Sequence, residues 1–108
     1  LRSAVNIAAS GLSAQSMRLE VVAQNLANAN ATAATSGGDP YARKTITFEN
    51  VLDERSGSRL LQVAEIGRDR SPFRMELDPA HPAADERGMV KYSNVQPLVE
   101  LADMREAN

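Results

Sequence analysis

Residues 3–28 read SAVNIAASGLSAQSMRLEVVAQNLAN, and one spacing runs through all of them. Val5, Leu12, Leu19 and Leu26 recur every seven residues. Ala8 and Val22 stand three positions after two of them, and Ala9 and Ala23 widen the stripe. A sevenfold apolar repeat is a helix surface made to lie along another helix. Arg18 and Glu20 are the only ionised side chains of the segment, and Asn6, Ser10, Ser13, Gln15, Ser16, Gln24 and Asn25 are neutral. Ile7, Met17 and Val21 lie off the stripe. A helix with an apolar seam and neutral flanks can be covered on several sides without stranding a charge in low dielectric. The expectation is a structural protein whose helix packs in an assembly, with Val5, Ala8, Leu12, Leu19, Val22 and Leu26 as the interface.

Composition narrows the class. The chain has 108 residues, enough for one small domain and an extended helix. Its net charge of -2, from 12 basic and 14 acidic side chains, shows no basic excess suited to a phosphate backbone, so no nucleic acid partner is expected. Cysteine is absent, which excludes thiol catalysis, disulfides and thiolate metal sites, and suits passage into an oxidising compartment. Tryptophan is absent and aromatics are 4%, so the core is lean and there is little capacity to stack nucleobases. No apolar run approaches the roughly 20 residues of a membrane span, and no direct membrane insertion is expected. Arg2 before residues 4–9 has the flavour of a secretory signal, but Asn6, Ser10 and Gly11 interrupt it and the sevenfold repeat runs through it. It reads as the start of the mature helix. The first residue is Leu1 rather than Met, consistent with residues removed ahead of it.

Beyond the helix the periodicity changes. Gly11 costs about 1 kcal/mol relative to Ala inside a helix and suggests close approach of a neighbour. Asn28 and Asn30 end the helix, and residues 31–40 form a connector with a turn at Gly37-Gly38-Asp39-Pro40. Residues 41–51 alternate, with Ala42, Lys44, Ile46 and Phe48 facing one way, as in a half-buried strand. Residues 60–66 form a second strand. Phe73, Met75 and Leu77 alternate with Arg74, Glu76 and Asp78 in a third, and residues 89–92 form a short fourth. Asn94 is expected to cap a last helix with Pro97 in its first turn. That helix stops in mid-pattern at Asn108, which suggests a C-terminally truncated chain. The fold class is α+β: a long N-terminal heptad helix, a small antiparallel β unit, and the start of a C-terminal helix. The expected divisions are an axial helix at residues 1–30, a linker at 31–40, a β domain at 41–93, and the C-terminal helix from 94 to 108. Terminal helices around a central insert suggest an antiparallel helical pair with the insert held at one end.

Candidate chemistry is sparse. His81, between Pro79 and Pro82, reads as a turn residue rather than a base or ligand. With one histidine and no cysteine, a transition metal would need carboxylates, and none cluster at ligand spacing. Asp78, Asp85 and Glu86 lack the calcium-loop pattern, and Gly37-Gly38 is no phosphate loop. Asn30-Ala31-Thr32 matches a glycosylation sequon that carries little weight without a signal peptide. Arg68, Arg70 and Arg74 interleave with Asp69 and Glu76 as a mixed solvated face. No catalytic residues, metal site or cofactor is expected, and the chain reads as a non-enzyme.

The motifs carry a resemblance. Asn25-Leu26-Ala27-Asn28-Ala29-Asn30, closing a heptad helix, resembles the N-terminal signature of bacterial flagellar rod, hook and hook-associated proteins. Gly11-Leu12-Ser13-Ala14-Gln15 resembles their upstream pattern. Gly38-Asp39-Pro40-Tyr41-Ala42-Arg43-Lys44, the stretch 78–90, and Ser93-Asn94-Val95 are similar, in that order, to the proximal-rod member of the family. Two positions depart from it: Ala31 stands where the signature has Thr, and Met89 where Tyr is usual. The resemblance implies a non-enzymatic subunit of the flagellar basal body. Such a subunit is exported uncleaved by the flagellar type III apparatus. It polymerises in the periplasm with other rod proteins and copies of itself. The resulting rod is the drive shaft for motility, with terminal helices lining the tube and the β unit outside. The alternative from the same residues is a generic coiled-coil adaptor with no catalytic activity.

Overall fold

The computed structural model describes residues 2–107. The chain is α+β, in the order α1 (Arg2–Ala27), β1 (Lys44–Leu52), β2 (Arg59–Arg68), β3 (Arg74–Leu77), β4 (Met89–Tyr92) and α2 (Pro97–Ala107). Leu1 and the expected end of the last helix at Asn108 lie outside the described residues.

The 26-residue α1 is continuous through Gly11, and at 1.5 Å per residue it is about 39 Å long. The molecule measures 62 × 23 × 18 Å, so the remaining length comes from segments beyond the end of α1.

The four strands do not join into one sheet. β1 pairs with β2 and β3 with β4, as two separate antiparallel ribbons. In the first, Ile46 opposes Ile66 and Phe48 opposes Val63, with a bulge at Thr47/Phe48 that leaves Ala64 without a partner. Such a bulge increases the twist of a ribbon.

The first ribbon lies along α1, which corrects the expectation of an insert held only at one end of a helical pair. Ser13, Ala14 and Met17 face Leu61 and Val63. The Leu61 amide donates to Ser10 Oγ at 3.2 Å, and the Arg18 guanidinium sits 5.0 Å from the centre of the Phe48 ring. Small side chains on this face of the helix let a ribbon approach closely, which bulky leucines would prevent.

The second ribbon is edged by the connector. Thr32 bridges to Tyr92, and the Ser93 amide donates to the Ala31 carbonyl at 3.0 Å. The segment between β3 and β4 closes on itself: the Asp78 amide donates to the Gly88 carbonyl at 2.8 Å. Val90 and Ala83 are buried there. Arg74 stacks over Tyr92 at 4.7 Å. All four residues of β3 are exposed, Met75 and Leu77 among them.

The start of α2 also differs from expectation. The Val99 and Glu100 amides both donate to the Gln96 carbonyl, so Gln96 is the capping position. Asn94 instead ties loops together. Its Oδ1 accepts the Arg43 amide at 2.7 Å, and its Nδ2 donates to the Asp69 and Ser71 carbonyls, both at 3.0 Å.

Candidate assembly surface and its polar anchor

The chain covers the heptad seam only in its C-terminal half. Buried positions on α1 are Ala14, Val21, Val22 and Asn25. At 100° per residue, Leu12 lies about 160° round the helix from Ala14. Val5 is 59% exposed and Leu12 69% exposed, and Ala8 is exposed as well. Leu19 and Leu26 are half-buried, and Val22 is buried where the covered and open faces meet. Of the six residues expected at an interface, the first three form an open apolar strip on the N-terminal half of α1. The last three lie towards the end where α2 docks.

The four residues of the 25–28 motif have separate environments. Asn25 is fully buried, Ala27 is exposed, and Leu26 and Asn28 are half-buried. Asn28 Nδ2 donates at 2.8 Å to the Gln24 carbonyl, which also accepts the Asn28 backbone amide at 3.2 Å. Asn25 does more. Its Nδ2 donates to the Lys44 carbonyl at 3.0 Å and to Glu100 Oε2 at 3.2 Å. Its Oδ1 accepts the Tyr41 hydroxyl at 2.6 Å and the Lys44 amide at 2.8 Å. One amide side chain thus joins α1, the entry to β1, and α2.

Glu100 completes the anchor. It is 0% exposed, and its Oε1 takes a charged hydrogen bond from Arg43 Nε while Oε2 takes the Asn25 amide. Arg43 also pairs with Asp103 at 2.9 Å and with Asp69 at 3.7 Å. Burial alone would lower the Arg43 pKa, but the surrounding carboxylates, Glu100 first, outweigh it and raise it. The Ser71 hydroxyl and amide, with Arg43 behind them, hold the Asp69 carboxyl below its ordinary range. Burial raises the Tyr41 hydroxyl, against the opposing Arg68 charge whose guanidinium lies 5.0 Å from the ring centre. A cavity of about 200 Å³ opens beside these groups, walled by Arg18, Val22, Lys44 and Asp103 among others. The network is charge-compensated, and no buried side-chain polar atom among the described residues lacks a partner. Such an arrangement holds geometry rather than moving protons.

Of these residues, sequence reasoning singled out Asn25 only as part of a motif. It missed Glu100, Arg43 and Tyr41 as partners. Glu100 stands between Val99 and Leu101 in the first turn of a helix, where an acid reads as solvated. The signal available was Asn25 itself, a neutral amide in a seam-forming helix. His81 sits in its turn: its Nδ1 accepts the Ala83 amide at 2.9 Å. Arg68 and Arg74 do not share a patch, since each covers a different tyrosine ring.

Comparison with known proteins fits this architecture to a family. Residues 5–34 match the model of the flagella basal body rod protein. The chain is 54% identical over 108 residues to the flagellar basal-body rod protein FlgC of Agrobacterium fabrum, an alignment covering 100% of this chain and 78% of that protein. The chain belongs to the FlgC family of flagellar basal-body rod proteins. The FlgC of Borreliella burgdorferi is 35% identical over 126 aligned positions, covering 100% of this chain and 82% of that protein. The FlgC of Escherichia coli is 34% identical over 103, covering 95% and 76%. The family-model match spans α1 from Val5 onward, its closing motif and the first residues of the connector. It therefore contains both the open seam and the buried Asn25. The family is one of structural proteins of the flagellar basal-body rod. No helix among the described residues is long and apolar enough to cross a membrane.

Proposed function

We propose that this chain is a rod subunit that polymerises through its terminal helices and transmits torque for motility. The observation that carries it is the open seam. Val5, Ala8 and Leu12 on α1 are exposed in the isolated chain, as are Leu98 and Leu101 on α2. Exposed apolar side chains gathered on helix faces mark protein interaction surfaces. The partners are other rod proteins and further copies of the chain, with seam helices packed side by side. Residues 1–30 and 94–108 act as the axial parts, residues 31–40 as a linker, and residues 41–93 as the outer β domain. Export proceeds through the flagellar type III apparatus without a cleaved signal, and assembly takes place in the periplasm. The protein acts without catalysis.

The test is a strain whose only copy carries Leu12→Asp. The exposed position leaves the subunit folded, while a carboxylate buried in an assembled seam would cost several kcal/mol. Loss of swimming, with basal bodies that lack the subunit, is the expected result. Normal motility and normal incorporation would overturn the assignment of the seam.

A further inference from the structure

α2 is docked inside out. Glu100 is fully buried, while Leu98 is 81% exposed and Leu101 is exposed as well. On a helical wheel Leu101 lies about 100° and Leu98 about 160° from Glu100. Hydrophobic burial alone would roll the helix so that the leucines met α1 and the carboxylate met water. A specific receptor reverses that preference.

The receptor is built without α2. Arg43 is placed by its own backbone, whose amide is held by Asn94 Oδ1, and by Asp69 on its guanidinium. Asn25 is placed by both backbone groups of Lys44 and by Tyr41. α2 then offers Glu100 and Asp103, three residues apart and therefore neighbours on one face, to a single guanidinium. Two attachment points on one face set the rotation of a helix about its axis, which one point would not. Buried ion pairs are weak sources of stability, and fixing one arrangement among several is their better-attested use.

We propose that the Arg43–Glu100–Asn25 clasp is a rotational lock. It holds α2 with Leu98 and Leu101 outward, where a helix of a neighbouring subunit can reach them. Glu100 and Arg43 are positioning residues in this role. The naming of a neighbouring subunit rests on the rod-subunit reading, whereas the lock itself does not. Replacing the carboxylate by an apolar group removes the reason for the leucines to stay outside. α2 then rolls towards burying them.

The chain has no cysteine of its own, so Leu98→Cys carries a unique thiol. In the native background it should label with maleimide as an exposed thiol does. With Glu100→Leu added, labelling should slow by about tenfold or more while the thermal melt stays cooperative. Equal labelling rates in the two backgrounds overturn the lock. A second arm leaves Glu100 in place. Arg43→Gln strands the buried carboxylate, so α2 amides should exchange at least about tenfold faster while β1 and β2 amides keep their protection. Unchanged protection of α2 in that variant also overturns the lock. Neither readout requires a rod, so failure here is separable from failure of the motility test.

Discussion

Asn25→Ala is the substitution that most directly tests how this chain is held together. The side chain is fully buried and makes four hydrogen bonds, two through Nδ2 and two through Oδ1. A methyl group makes none of them. Glu100 Oε2, in a residue with no exposed surface, loses this donor, and a buried charged acceptor left unsatisfied costs about 2 kcal/mol or more. The Lys44 amide and carbonyl are half-screened and together cost about 1 kcal/mol, with the Tyr41 hydroxyl adding roughly 0.5 kcal/mol. The sum is about 3.5 kcal/mol, a large share of the stability of a domain this size. At roughly 4 °C per kcal/mol the melting temperature should fall by about 15 °C. Urea denaturation followed by circular dichroism would measure it, with the slope m unchanged if only stability is altered. Asn28→Ala is the internal control: it loses one bond to the Gln24 carbonyl and should cost about 1 kcal/mol. If Asn25→Ala cost less than about 1 kcal/mol, or no more than Asn28→Ala, the anchor would not be what joins α2 to α1 and β1.

Four further outcomes follow from separate features. In the isolated chain Leu12→Asp should change unfolding stability by less than about 0.5 kcal/mol, since the side chain is solvated; a large loss by denaturant titration would mean that the seam is covered within the chain. Gly88 has φ +78, and a Cβ built on it would lie 2.9 Å from Pro79, so Gly88→Ala should lose about 2–4 kcal/mol. Gly11→Ala meets nothing within 4 Å and should gain about 1 kcal/mol in the isolated chain, with thermal melts of the two variants moving in opposite directions. The Met89 amide, followed by the Arg87 amide and charge, holds the Asp85 carboxyl below its ordinary value of 3.8. A depressed carboxyl contributes stability above its ordinary pKa, and that stability is lost as pH falls through the folded value. Acid titration of Asp85→Asn should therefore show a shallower loss than the native chain below about pH 4. A steeper or unchanged loss would deny Asp85 that part in closing the turn.

Much of the molecule was readable from local pattern, because helices and strands are written in short-range periodicity. The sevenfold spacing of Val5, Leu12, Leu19 and Leu26 predicted a helix at residues 3–28, and α1 runs Arg2–Ala27. Alternation pointed to the first and third strands, and β3 at Arg74–Leu77 and β4 at Met89–Tyr92 fall on expected strand residues. The motif Asn25-Leu26-Ala27-Asn28 and the order of the later stretches were enough to place the family. What the pattern did not carry was the assignment of faces. A seam shows that a helix has an apolar side, but not which partner will cover it. Here the ribbon chose the smaller side of Ser10, Ser13 and Ala14 and left Val5 and Leu12 in water. The division of four strands into two ribbons was equally silent, because pairing depends on the path of the connectors rather than on the strands themselves. The burial of Glu100 is the sharpest instance. Nothing local distinguishes it from a solvated acid in a first helical turn. Only the long-range arrival of Arg43 and Asn25, 57 and 75 positions away in sequence, makes the buried site the lower in free energy. Local spacing determines which elements form; the pairing of buried charge and amide across the fold decides how they face one another.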